Sequence, residues 1–198
     1  KDTIVYRYPM ADRDEIMNGC QLIVQESQVA MLVSNGQIAD VYGPGEHRLT
    51  TNNMPILTKL ASWKYDFDSP FKADVYYVNT KQFINMKWGT ASKIAMRDDY
   101  FGLISIGARG TYSFQVTDPA QFMREIFGTN RDYRTHSLVE YFKSIIVSNF
   151  TKVIGEAKIS ALDIPAKYIE IGDLVRVEIE DDFDKLGLKA SALYVESV

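Results

Sequence analysis

The stretch Leu103–Met123, "LISIGARGTYSFQVTDPAQFM", marks the change from one kind of secondary structure to another. Ile104, Ile106, Ala108, Gly110, Tyr112, Phe114 and Val116 recur at every second residue, with Ser105, Gly107, Arg109, Thr111, Ser113 and Gln115 between them. Period two places these sets on opposite faces of an extended chain, so the segment predicts one long strand that covers a core on one side. Directly after it, Thr117 or Asp118 can cap a helix, Pro119 suits a first helical turn, and Gly128 ends the element. The chain before this stretch is strand-like and the chain after it is mostly helical, the order of an α+β domain with segregated elements.

Upstream, Ile4–Tyr8 and Leu22–Val24 read as strands. Asn35-Gly36 separates two apolar segments and tolerates the positive φ angles of a type I′ turn, which predicts a hairpin. "ADVYYVN" (73–79) and "QFINM" (82–86) are further strands. In "SWKYDFDSPF" (62–71), Trp63, Tyr65 and Phe67 alternate with charged residues, as a strand with one aromatic face would. Downstream, Leu138, Phe142, Ile145, Phe150 and Val153 predict a helix from about 132 to 154 with Gly155 behind it. "LVRVEIE" (174–180) alternates like a strand, yet Ile171, Val175, Ile179, Phe183 and Leu186 also fall at helical steps; pattern leaves both readings open. Gly187 breaks the element, and "LKASALYVESV" (188–198) reads as a last strand.

Composition narrows the function. With 46% hydrophobic and 24% charged residues, the 198-residue chain is of the folded globular class. Its 22 basic and 26 acidic residues give a net charge of -4 without any basic block, which argues against a general nucleic-acid binder. The apolar runs are far shorter than the roughly 20 residues that cross a bilayer as a helix. Cys20 is the only cysteine, so an internal disulfide and a single-chain thiolate cluster are excluded and a reducing compartment is expected. The chain begins at Lys1 with no signal pattern and reads as a single domain over 1–198, a piece of a longer protein.

Searching for chemistry returns little. Gly43-Pro44-Gly45 followed by His47 and Arg48 could hold an anion beside an imidazole, but neither GxxxxGK[ST] nor GxGxxG is present, and the stretch is expected to be a turn. His136 falls in an opening helical turn. HExxH, CxxC and GxSxG are absent, and the acidic run "EIEDDFDKLG" lacks the alternating ligands and central glycine of an EF-hand. No catalytic residue, metal ligand or cofactor is therefore expected. Trp63, Tyr65, Phe67 and Phe71, flanked by Lys59, Lys64 and Lys72, fit either a core-facing strand or an interfacial patch among lipid headgroups. Arg109 and Gln115 lie on a strand face that meets either solvent or a neighbouring subunit.

The order of these segments resembles the SPFH domain, also called band 7 or prohibitin-homology, shared by stomatins, prohibitins and flotillins. "LIVQESQVAMLVSNGQIADVYGPGEHRLT" is similar to the family's opening hairpin and its Gly-Pro-Gly turn. "MRDDYFGLISIGARGTYSFQVTDPAQFM" is similar to its strand-into-helix passage, and "LGLKASALYVESV" to its closing strand. "ESQVA", "GPGEHRLTTNNMPIL", "SPFKADVYYVNTKQF" and "KWGT" resemble most closely a bacterial, phage-linked branch labelled virion core proteins. The resemblance covers about residues 20–198 and implies a helix over about 166–186, an antiparallel, partly curled sheet from the first 116 residues, and helices packed beside it.

For function, the resemblance implies a non-catalytic scaffold that organises lipids or client proteins, with a part in envelope stress. Self-association would run mostly through segments outside this chain, and membrane lipids would be met through an N-terminal anchor outside it. The full-length protein would then sit at the cytoplasmic face of a membrane, and the piece alone would be soluble. Two rivals stand beside this: a soluble peptide- or protein-binding module using a sheet edge, and a small hydrolase using His47 with nearby carboxylates.

Overall fold

The computed structural model describes residues 3–9, 15–56, 71–128 and 133–198. Its contacts gather into two compact units, one of residues 1–81 and 116–135, the other of residues 82–115 and 136–198.

In the first unit, β1 (Val5–Arg7), β8 (Asp74–Asn79), β4 (Gln28–Ser34) and β5 (Gln37–Tyr42) form an antiparallel sheet in that order. β4 and β5 are the predicted hairpin, with Asn35 at φ 51 and Gly36 at φ 74, the left-handed pair that a type I′ turn requires. β3 (Gln21–Val24) and β6 (Gly45–Arg48) make a two-stranded ribbon, and β2 (Glu15–Ile16) pairs with β7 (Phe71–Lys72). Ala30 and Leu32 of β4 and Val75 of β8 join Leu22, Val24, Leu49 and Met54 in one buried cluster. Met31, on the other face of β4, is opposite Tyr76, whose ring meets Phe127 edge-on at 5.5 Å. Phe127 belongs to α1 (Pro119–Gly128), so this sheet is covered on both faces. Asp118 is the cap of α1: its Oδ1 accepts the Gln121 N–H at 3.0 Å.

The second unit holds a three-stranded sheet in the order β13-β12-β9, made of β9 (Gln82–Gly89), β12 (Arg109–Val116) and the chain's last strand β13 (Leu188–Ser197). A separate antiparallel ribbon joins β10 (Ile94–Asp98) to β11 (Gly102–Ile106). α2 (Thr135–Ala157) buries Leu138, Phe142, Ile146 and Phe150. A 3-10 turn (Ile164–Lys167) leads into α3 (Tyr168–Glu178) and α4 (Glu180–Lys185). An aromatic chain ties helices to sheet: Phe83 stacks on Phe114 at 4.9 Å, Phe114 meets Phe142 edge-on at 5.1 Å, and Phe142 lies 5.9 Å from Phe183.

Two expectations need correction. The long strand of Leu103–Val116 is two strands with different partners, although its alternation keeps phase across the break. At the break Thr90 takes both backbone groups of Ala108: its hydroxyl accepts the Ala108 N–H at 3.0 Å, and its N–H donates to the Ala108 carbonyl at 2.9 Å. Alternation reports which face a residue occupies, not which strand it bonds. The α+β class is as expected, with the strands of the first 116 residues shared among separate sheets, one of which recruits the C-terminal β13. Gly155 lies inside α2, which continues to Ala157.

"LVRVEIE" is helical, as the resemblance implies, with α3 and α4 joined at Ile179 (φ -81, ψ -9). Ile171, Val175, Ile179 and Phe183 are fully buried, which is the four-residue step expected of one helical face.

Candidate functional site

The turn that most resembled a chemical site uses its side chains for structure. Gly45 sits at φ 127, a left-handed value, while Gly43 does not. His47 Nε2 lies 2.8 Å from the Gly43 carbonyl oxygen, closing the Gly-Pro-Gly loop on itself, and its ring packs 5.2 Å from Tyr42. Glu46 accepts a hydrogen bond from Gln21 Nε2 at 3.0 Å, so it is turned to the neighbouring strand. The imidazole thus meets a backbone carbonyl at this nitrogen, not the carboxylate or nucleophile that the hydrolase reading needs. His136, as expected, lies in the first turn of α2.

Beside this turn the first unit carries a groove of about 770 Å³. Tyr8, Ile16, Leu22, Leu49, Val75 and Tyr77 line it, with Tyr6, Met17 and Ile23 exposed at its rim. None of its described lining residues is an acid, a lysine, an arginine or a histidine. Cys20 lies in this wall, held by backbone bonds from its N–H to the Met17 carbonyl (3.1 Å) and from the Leu49 N–H to its own carbonyl (2.8 Å). Burial pushes its thiol up from the ordinary value, against smaller opposing effects from the backbone, so it is a poorer nucleophile than a free cysteine.

In the second unit, one carboxylate organises an apolar projection. Asp98 is buried at the end of β10; its Oδ1 accepts the N–H groups of Tyr100 (2.8 Å) and Phe101 (2.9 Å), and its Oδ2 accepts the Ala161 N–H (2.7 Å) and the Ser160 hydroxyl (3.2 Å). The Ala161 and Phe101 amides, with smaller help from Tyr100 and Ser160, hold its carboxyl below the usual range in spite of desolvation. Pinned this way, the hairpin turn directs Tyr100 (78% exposed), Phe101 (57%) and Leu103 (80%) outward. Gly102, at φ 75, allows the turn. Sequence reasoning passes over Asp98–Phe101; the available signal is an Asp-Asp pair followed by two aromatics and a glycine.

Of the predicted aromatic patch, Trp63, Tyr65 and Phe67 lie outside the described residues. Phe71 enters β7 opposite Ile16. Arg109 begins β12 on its exposed face, and Gln115 is half-buried near its end. Among the described residues, no three His, Cys, Asp or Glu side chains are grouped to hold a metal ion, and no helix is long and apolar enough to cross a membrane.

The model for the SPFH domain-Band 7 family matches residues 5–198, a span that includes both compact units. The chain is also similar to the uncharacterized protein YdjI of Bacillus subtilis (strain 168), with 32% identity over 149 residues. That alignment covers 74% of this chain and 44% of YdjI, so the chain corresponds to less than half of that relative's length.

Proposed function

We propose a role that starts from a plain fact: this chain belongs to the SPFH domain-Band 7 family. Its role is that of a non-catalytic scaffold within a membrane-associated, oligomer-forming protein, one that gathers membrane lipids or client proteins at the cytoplasmic face and serves in envelope stress. The observation that carries this reading is the family match running through nearly the whole chain. The His47 geometry supports it, because the imidazole closes a loop where an enzyme would need it facing a substrate. The groove, whose described lining carries no charged side chain, and the projecting aromatic turn offer apolar surfaces of the kind a binding scaffold uses.

Liposome flotation and light scattering of the full-length protein, beside the 1–198 piece, test this role. The full-length protein should rise with vesicles and scatter as a large assembly. A full-length protein that stays monomeric and remains in the lipid-free fraction overturns it.

A further inference from the structure

The first unit sets a row of tyrosines along its apolar groove. Tyr6 on β1 stands directly opposite Tyr77 on β8, and Tyr8, just past β1, still donates its N–H to the Val75 carbonyl at 2.8 Å. Residues two apart on a strand share a face, so Tyr6, Tyr8, Val75 and Tyr77 all look into the groove. Tyr6 is 49% and Tyr8 51% exposed, and Tyr8 is near enough to add to the upward push that burial gives the Tyr77 phenol. Exposed Ile23 of β3 also lines the groove.

The polar groups here are neutral. Gln25 and Gln28 line the groove, and Gln28 lies opposite Asn79, two residues beyond Tyr77, which puts its amide at the Tyr6 end of the row. Aromatic faces, apolar side chains and uncharged donors are thus gathered in a chain of which 24% of residues are charged. A charged occupant would give up water and meet no opposite charge among the described lining residues.

Neutral occupants differ in the bonds they need. An added β-strand needs open backbone groups at a strand edge, but the tyrosines stand on the face of a sheet, and β3 already gives its Ile23 carbonyl to the Tyr77 hydroxyl at 3.2 Å. An acyl chain would use neither the hydroxyls nor the amides. A polyproline II segment uses both, because it has no internal hydrogen bonds, leaves its carbonyls free to accept, and lays its rings against aromatic faces. Two of its residues advance about 6.2 Å, close to the separation of about 6.8 Å between Tyr6 and Tyr8 along an extended chain.

We propose that this groove binds an uncharged, proline-rich segment of a client protein in the polyproline II conformation. Its prolines lie against Tyr6 and Tyr8, and its carbonyls accept from their hydroxyls and from the Gln25 and Gln28 amides. The stiffness of such a segment limits the entropy lost on binding, which suits an open groove. This rests on the scaffold role proposed above and names the client by its chemistry.

Calorimetric titration of the full-length protein with an acetylated, amidated decaproline tests it. Binding should saturate, and a glycine-serine peptide of the same length should give none. Tyr6→Ala and Tyr8→Ala, both at exposed rings, should each weaken binding about tenfold, while Tyr8→Phe should stay within about threefold. Circular dichroism checks that each variant folds. Absence of saturable binding overturns the site, as does undiminished binding by both alanine variants. Tighter binding of an alternating threonine-valine peptide would mean strand addition and also overturns it. Release of bound decaproline by vesicles of phosphatidylcholine and phosphatidylglycerol, together with loss of flotation in Tyr8→Ala, assigns the groove to lipid and overturns it too. Flotation and assembly without decaproline binding leave the scaffold role standing and remove this partner alone, whereas a lipid-blind monomer that binds decaproline removes the scaffold role and keeps the peptide site.

Discussion

The two units solve the same problem, burying one face of a small antiparallel sheet, with different tolerances. The C-terminal unit brings backbone against backbone. Trp88 donates its indole N–H to the Tyr194 carbonyl (3.2 Å) across Gly110, and Gly172 of α3 rides against the Leu193 carbonyl. Two glycines on different elements thus admit consecutive carbonyls of the closing strand β13. In the N-terminal unit Gly19, Gly36 and Gly45 have left-handed φ, so that backbone angle rather than space decides there, and no described residue lining the groove beside its core is charged. Close approach makes the C-terminal core intolerant of added volume, while turn chemistry makes the N-terminal unit intolerant of the wrong backbone angle.

A single type of change, glycine to alanine, should therefore separate the units. Gly110→Ala is expected to be the most damaging: its Cβ would overlap the Tyr194 carbonyl oxygen and press on the Trp88 ring. Neither neighbour can yield without breaking the pairing of β12 with β13, so a loss of about 3 kcal/mol or more is expected in urea unfolding. Wild-type stability for this variant would break the claim that the strands approach so closely.

Asp98→Asn extends the contrast to pH. The Asp98 carboxylate has its folded-state pKa lowered by four donors, so it contributes stability that is fully present above the ordinary carboxylate value of about 4 and is lost as pH falls through the lowered folded value. An asparagine offers one acceptor oxygen, and its amide would face the donors of Ala161 and Ser160. The variant should have a lower Tm at neutral pH and a flatter acid limb below about pH 4. Parallel Tm-against-pH curves for the two proteins would remove the assignment of Asp98 as the brace.

Gly172→Ala pits two effects against each other. Alanine raises helix propensity by about 1 kcal/mol, but the added Cβ would lie 2.8 Å from the Leu193 carbonyl oxygen. Because that oxygen belongs to the backbone of a paired strand, the steric cost of about 1–3 kcal/mol should win and leave the variant about 1 kcal/mol less stable. A stabilised variant would mean that α3 can move away from β13 without loss.

How much of this is visible in the sequence depends on how local each cause is. The hairpin at Asn35-Gly36 is legible because the turn chemistry lies in the two residues that need it. The Asp118 cap and Pro119 are legible for the same reason. The break at Ala108 is not, because Thr90, 18 residues away, takes its hydrogen bonds. Nor is the Asp98 brace, since Ala161 lies 63 residues further on. "LVRVEIE" is ambiguous by pattern because exposed Val177 supplies an apolar residue where a solvent-facing helix position usually carries a polar one.

In the N-terminal unit the matched pair is Gly45→Ala and Gly43→Ala. Only Gly45 has a left-handed φ, and a Cβ at Gly43 would meet nothing within 4 Å. The first should cost about 1–2 kcal/mol through backbone strain and the second should stay within about 0.5 kcal/mol of wild type. Equal losses would assign the motif's requirement to something other than φ.

The smallest effect returns to the C-terminal core and should have the opposite sign. Tyr112 is 1% exposed, and its hydroxyl has no hydrogen-bond partner among the described residues. Burial, followed by the charge of Glu140, pushes its pKa upward, so the phenol stays neutral and uncompensated. A buried hydroxyl that has lost water without gaining a partner costs about 1–3 kcal/mol, part of which relaxation recovers. Tyr112→Phe removes that cost and keeps the ring against Phe114, 5.9 Å away. The space left by one oxygen is a small loss, so the net change should fall between zero and about 1 kcal/mol of added stability. A rise in the urea midpoint at unchanged slope would fit, since the slope reports the area exposed on unfolding and that area hardly changes. A loss of about 1 kcal/mol or more would instead mean that the hydroxyl is bonded, and that even the tightest part of this core keeps a polar contact.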